Sequence, residues 1–163
     1  MEPDPSRILH LRSSWFCAER QNYNWWSEVC PREGEAPPSG HLVQMTLYWI
    51  GHYNASRMQG FSADQLAKLP GRDQSFVAVG DGISRFNDEH YSYFTRADLP
   101  GYLARCYRTG AKSRPELYCS AGYRLTPEIG LIYDFRADAD DFAERSRAAD
   151  ARARKVVERL QAH

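Results

Sequence analysis

Apolar and polar residues alternate most clearly from His41 to Tyr53 (HLVQMTLYWIGHY). Leu42, Gln44, Thr46, Tyr48 and Ile50 fall on one face of an extended chain, and Val43, Met45, Leu47 and Trp49 on the other. The second face is wholly apolar, so a strand is predicted with that face toward the core. Ile8 to Cys17 reads as an earlier strand, in which Ile8, His10 and Arg12 alternate with Leu9, Leu11 and Ser13. Between the two, Ala18 to Gly40 is polar and turn-rich and closes with Gly34, Pro37, Pro38, Ser39 and Gly40. A short helix is predicted from Ser62 to about Leu69, with Ser62 as N-cap and Gln65 three positions on, and Pro70-Gly71 stops it.

The second half carries stronger signals. Ser75 to Val79 reads as a short strand ending in the turn Gly80-Asp81-Gly82, and Ile83 to Thr95 as one or two strands around Asn87-Asp88-Glu89. Asp98 to Cys106 is read as a short helix with Pro100 in its first turn. Glu116 to Leu125 and Glu128 to Arg136 form a predicted hairpin about Thr126-Pro127. From Asp138 to about Leu160, Phe142, Ala149, Ala153, Val156, Val157 and Leu160 share one stripe of a helix. Asp138, Asp140 and Asp141 lie at its positive end, and Arg152, Arg154, Lys155 and Arg159 near its negative end. The expected fold is α+β, an antiparallel sheet of five or six strands with a long C-terminal helix packed on it. At 163 residues the whole chain, 1–163, is expected to form one domain.

Charge narrows the function. Lys plus Arg and Asp plus Glu number 21 each, which leaves no electrostatic footprint for nucleic acid or an anionic membrane. No apolar run reaches the length of a membrane-spanning helix. Met1 is followed by Glu2-Pro3-Asp4-Pro5, which is unlike a signal peptide, so export would require a signal or membrane anchor ahead of this sequence.

The four cysteines change the picture most. Twelve residues separate Cys17 from Cys30, and twelve separate Cys106 from Cys119. Two local disulfides suit that layout and would place the protein in an oxidising compartment. Four cysteines allow three pairings; four buried thiols in a cytosolic protein, or a zinc site, are the other readings. By loop entropy each local bridge would contribute roughly 3 kcal/mol, so the bridges are scaffold.

Catalytic signatures are missing from the sequence: no GxSxG elbow, HExxH, P-loop or GxGxxG occurs. His10, His41, His52, His90 and His163 have no metal-ligand spacing, and no metal or other cofactor is expected. Asp88, Glu89 and His90 would serve acid–base chemistry only if a turn did not already explain them. Glu33 and Glu35 carry the same discount, and a distributed pair of carboxylates remains as a hydrolase alternative.

What stands out is surface. Ten Tyr, seven Phe and four Trp are present, and Tyr23, Trp25, Trp26 and Glu28 sit together in the first Cys loop. Tyr and Trp dominate interface hot spots, and a loop held at both ends is pre-organised for binding. The competing reading folds the two Trp into the core. Asp81, Arg85, Asp88 and Glu89, on the central turns, form a second candidate contact patch.

The run Tyr93-Phe94-Thr95-Arg96-Ala97-Asp98-Leu99-Pro100, with Tyr102-Leu103-Ala104-Arg105-Cys106, resembles small exported proteins encoded beside secreted antibacterial effectors. Arg114-Pro115-Glu116-Leu117-Tyr118-Cys119, Leu125 to Tyr133 and the apolar stripe of the last helix extend the likeness over about residues 91–160. Such proteins look like immunity proteins of type VI secretion systems, typically inner-membrane anchored with a periplasmic domain. The resemblance implies a non-enzymatic protein that binds a cognate toxin and occludes its active site. It implies no particular contact residues. A small envelope hydrolase and a structural subunit of an envelope assembly are the alternatives.

Overall fold

The alternation becomes one continuous antiparallel sheet. The computed structural model describes residues 9–12, 42–49, 76–109 and 116–161. Eight strands lie in it: β1 (Leu9–Arg12), β2 (Leu42–Trp49), β3 (Val77–Gly80), β4 (Ile83–Asn87), β5 (Ser92–Arg96), β6 (Leu103–Thr109), β7 (Glu116–Arg124) and β8 (Ile129–Asp138). Their order across the sheet is β1-β2-β8-β7-β6-β5-β4-β3. From β3 to β8 the chain is therefore a simple meander, and the β1–β2 pair adds to its β8 edge. Among the described residues one helix, α1 (Phe142–Gln161), follows β8 and packs back on one face of the sheet; the helix expected from Ser62 to about Leu69 lies outside them.

The class is α+β as expected, but with eight strands where five or six were read. The difference arises largely between Ile83 and Cys106. Ile83 to Thr95 divides into β4 and β5, and the segment read as a helix from Asp98 to Cys106 is a turn followed by β6. In that turn the Leu99 N–H bonds the Arg96 carbonyl and the Tyr102 N–H bonds that of Leu99. Gly101, at φ +81°, then reverses the helical sense. Beyond it Leu103 to Thr109 must pair with β7, and pairing with neighbours overrides weak local helix propensity.

The β3–β4 connection is as the sequence indicates. Gly80 pairs with Ile83, leaving Asp81 (φ 52°) and Gly82 (φ 70°) as a two-residue loop with both φ angles positive. That is the type I′ geometry for which Asp-Gly is suited. The β7–β8 hairpin closes about Thr126, whose Oγ1 accepts from the N–H groups of Glu128 (3.2 Å) and Ile129 (3.0 Å).

The core lies between the sheet and α1. Leu42, Met45, Phe94, Ala104, Leu131, Tyr133 and Phe135 on the sheet meet Phe142, Ala149, Ala153, Val156 and Val157 on the helix. Phe142 stacks on Phe94 with ring centroids 3.9 Å apart. The helix begins at Phe142, four residues after its expected start, and Asp141 prepares that start. Its Oδ1 accepts from the Asp138 N–H (2.7 Å), while Oδ2 pairs with Arg145 Nε at 2.8 Å. A β-bulge between Leu42 and Gln44 shifts the register of β2. As a result Leu42, expected on the outward face, is buried with Met45, while Val43 is only partly covered.

Cys106 and Cys119 form a disulfide between directly paired residues of β6 and β7. Both are fully buried in the core beneath α1. Cys17 and Cys30 lie outside the described residues. No helix among the described residues is long and apolar enough to cross a membrane.

Candidate functional site

The two patches expected from sequence fare differently. Tyr23, Trp25, Trp26 and Glu28 lie outside the described residues. Asp81, Arg85, Asp88 and Glu89 are all placed, but not as one surface. Asp81 sits in the β3–β4 turn, and Asp88 and Glu89 in the β4–β5 turn, at opposite ends of β4. Five strand residues span about 17 Å, so Asp81 lies well away from Asp88 and Glu89, with Arg85 at the middle of the strand between them.

Asp88 is spent within its own turn. Its Oδ1 accepts from the N–H groups of His90 (2.8 Å) and Tyr91 (2.6 Å), and its Oδ2 from the Tyr93 hydroxyl (3.0 Å). Burial acts to raise its pKa, yet the backbone bonds from Tyr91 and His90, with Tyr93, outweigh it and hold the carboxyl below its ordinary value. The same bond, with burial as the larger cause, pushes Tyr93 up to about 12. This carboxylate shapes a turn. Glu89 beside it is exposed, as are Asp81 and Arg85.

Two polar networks that sequence reading missed are built on the faces of the sheet. On the helix face, Asp150 of α1 is 6 % exposed. Its Oδ1 accepts from Tyr123 Oη (2.5 Å) and Tyr133 Oη (3.3 Å), and its Oδ2 from Arg154 Nε (3.1 Å). Arg96, itself buried, approaches Asp150 Oδ2 with Nη1 at 3.9 Å and forks onto Asp98 through Nε (3.0 Å) and Nη2 (2.6 Å). Nη1 of Arg96 and the Tyr102 hydroxyl have no hydrogen-bond partner among the described residues. Burial holds the Tyr102, Tyr123 and Tyr133 hydroxyls well above the ordinary tyrosine value, so all three stay neutral.

On the outer face, Asp134 of β8 is 5 % exposed and is held by neutral donors. Gln44 Nε2 (2.6 Å) and Tyr118 Oη (2.8 Å) bond its Oδ2, and Ser120 Oγ (2.7 Å) bonds Oδ1. Gln44 and Ser120 are its cross-strand partners on β2 and β7, so the register itself assembles the site. The row continues through Arg105 to Tyr93 across β6 and β5. Beside it, Arg105 lies over the Tyr91 ring at 5.0 Å, and Tyr107 packs on Tyr118 at 5.3 Å.

A signal for each network was present in the sequence. Asp134 interrupts the apolar run Leu131-Ile132-Tyr133-Asp134-Phe135, and Asp150 sits between Ala149 and Ala153 on the helix stripe. A carboxylate in an apolar run implies burial with partners. Neither arrangement presents a free carboxylate pair, and among the described residues no group of three or more His, Cys, Asp or Glu could hold a metal ion. No protein-family model matches the chain, and neither a curated protein nor a solved structure matches it.

Proposed function

We propose that this protein is a non-enzymatic immunity protein of an oxidising compartment, the periplasm, that binds a co-encoded antibacterial toxin and blocks its active site. The observation that carries the reading is the Cys106–Cys119 disulfide, fully buried between paired strands. Such bonds persist outside the reducing cytosol, where a toxin acting in the cell envelope would meet its inhibitor. Supporting it, Asp88, Asp134 and Asp150 are each committed to hydrogen bonds within the fold, which favours a role for surface over acid–base chemistry. The toxin contact is assigned to Tyr23, Trp25, Trp26 and Glu28, with the exposed Glu89 as part of a second candidate patch.

The test is protection and binding together. The chain, exported to the periplasm, should rescue susceptible cells from the toxin encoded beside it and should co-purify with that toxin. Replacing Trp25 and Trp26 with Ala should weaken binding by about 2–4 kcal/mol with thermal stability unchanged. Free thiols at Cys106 and Cys119 in protein taken from its native compartment would remove the reading's physical support. Loss of stability without loss of affinity in the Trp variant would move the contact elsewhere.

A further inference from the structure

Among the described residues β3 is the last strand of the sheet, and all four of its residues, Val77 to Gly80, are exposed. Val77 and Val79 are 64 % and 47 % exposed and belong to the few large hydrophobic side chains open to solvent among the described residues. Natural edge strands are usually guarded by charge or proline, and Val-Ala-Val-Gly carries neither. Its protection is shortness and the bulge between Ala78 and Gly80. The hairpin behind it is firmly held: Arg147 of α1 donates to the Asp81 carbonyl, and the Ala97 N–H bonds the Gly82 carbonyl at 2.8 Å. An edge held in place this way is ready to pair without further ordering.

We propose that the exposed outer edge of β3 is a self-association surface, pairing antiparallel with β3 of a second copy about a two-fold axis at Val79. A strand paired with itself in this sense closes after two subunits. Val79 then meets Val79 of the partner subunit, and Val77 stands opposite Asp81 of the partner subunit. Arg85 is the cross-strand neighbour of Val77 and so flanks the partner's Asp81. Arg85 and Asp81 are both exposed, and neither side chain forms an ion pair among the described residues. One register therefore buries Val79 at the centre, covers Val77 beside it and brings opposite charges together twice at the rim. That charge complementarity selects a second copy as the occupant. The inference does not depend on the toxin reading; it assigns Asp81 and Arg85 to the second copy and leaves the Trp-bearing loop to the toxin.

Four edge residues bury much less than the roughly 800 Å² per partner of a standard interface, so association is weak. The experiment is analytical ultracentrifugation of the full oxidised chain from about 10 µM to about 1 mM, the affinity range such a contact reaches. Amide hydrogen exchange is read at both ends of that range. The expected result is an apparent mass rising from 18.7 kDa toward twice that value, with concentration-dependent protection of the β3 amides that face away from β4. V79K, at an exposed site, should lose the association while keeping its circular dichroism and disulfide. R85E should weaken it several-fold. A mass that stays at the monomer value throughout overturns the proposal, as does association that V79K leaves unchanged or that leaves β3 unprotected.

Discussion

Asp150 and Asp134 are nearly equally buried, on opposite faces of the same sheet, yet they are stabilised in opposite ways. Asp150 sits on the helix face with Arg154 and Arg96 beside it, so its charge is compensated by cations that are themselves held by the fold. Asp134 sits on the outer face with an amide and two hydroxyls, and no cation forms an ion pair with it among the described residues. The difference follows from what each element can supply. A helix brings arginine one turn away, at i+4, and a long side chain can reach inward while its head stays near water. A strand offers only its lateral neighbours, here Gln44 and Ser120, and the diagonal Tyr118. A buried charge is thus neutralised where a helix packs and solvated by dipoles where only strands are available.

Deleting the carboxylates should show the largest contrast. Asp150→Ala leaves Arg96 buried beside two stranded tyrosine hydroxyls and should cost about 3–5 kcal/mol in denaturant unfolding. Asp134→Ala strands only neutral donors and should cost about 2–3 kcal/mol. Equal losses at the two sites would show that compensation by cations does not matter here. A smaller expected effect is that of Tyr93→Phe, about 1 kcal/mol, since one hydrogen bond to the Asp88 carboxylate is lost while the ring remains packed.

Titration sharpens the same comparison in the alkaline range. Tyr93 ionises at about 12 in the folded state and near 10 when unfolded. A raised value favours the neutral form, so this contribution is complete below pH 10 and disappears as pH climbs through 12. Tyr102, Tyr123 and Tyr133 on the helix face, and Tyr118 on the outer face, are held higher still. Ultraviolet titration should therefore show Tyr102, Tyr118, Tyr123 and Tyr133 silent until the protein unfolds, with Tyr93 ionising only at about 12. Tyr93→Phe should make the fall of stability between about pH 10 and 12 shallower by one tyrosine. Tyrosinate absorbance from all ten tyrosines near pH 10 in folded protein would contradict the burial described.

The smallest effect lies at the acid end. Asp98 is lowered from 3.8 by its bond to Arg96, against a smaller opposing cost of burial, and Asp88 is lowered by its turn bonds. Lowered carboxyls contribute stability above 3.8, and the contribution is lost as pH falls below that value through the folded pKa. Asp98→Asn should flatten the stability curve below pH 4 and leave neutral stability slightly reduced, as measured by chemical denaturation.

Much of the fold was legible because it rests on short-range physics. Asp81-Gly82 specified a tight hairpin, since few other dipeptides tolerate two positive φ angles. The stripe from Phe142 to Val157 specified the helix and the face it buries. Thr126-Pro127 marked the β7–β8 turn, and Cys106 and Cys119 marked two chain segments that had to meet. The candidate surface was legible only in part: Asp81 and Arg85 are exposed as expected, while Asp88 turned inward because its side chain satisfies two N–H groups of its own turn.

Tertiary structure decided what depends on neighbours that lie far along the chain. Leu103 to Cys106 is a strand because β7 pairs with it, which no local propensity announces. Leu42 is buried because a bulge changes the phase of β2, and the alternation that otherwise identifies a strand fails at a single extra residue. Asp134 finds Gln44 ninety positions away and Ser120 fourteen away, so their convergence is a property of strand order and register. The sequence by itself determined turns, the helix and the α+β class, because those follow from backbone sterics and burial periodicity. Which face each aspartate occupies, and what compensates its charge, came only with the folded sheet, because a carboxylate's environment is set by atoms its own segment does not contain.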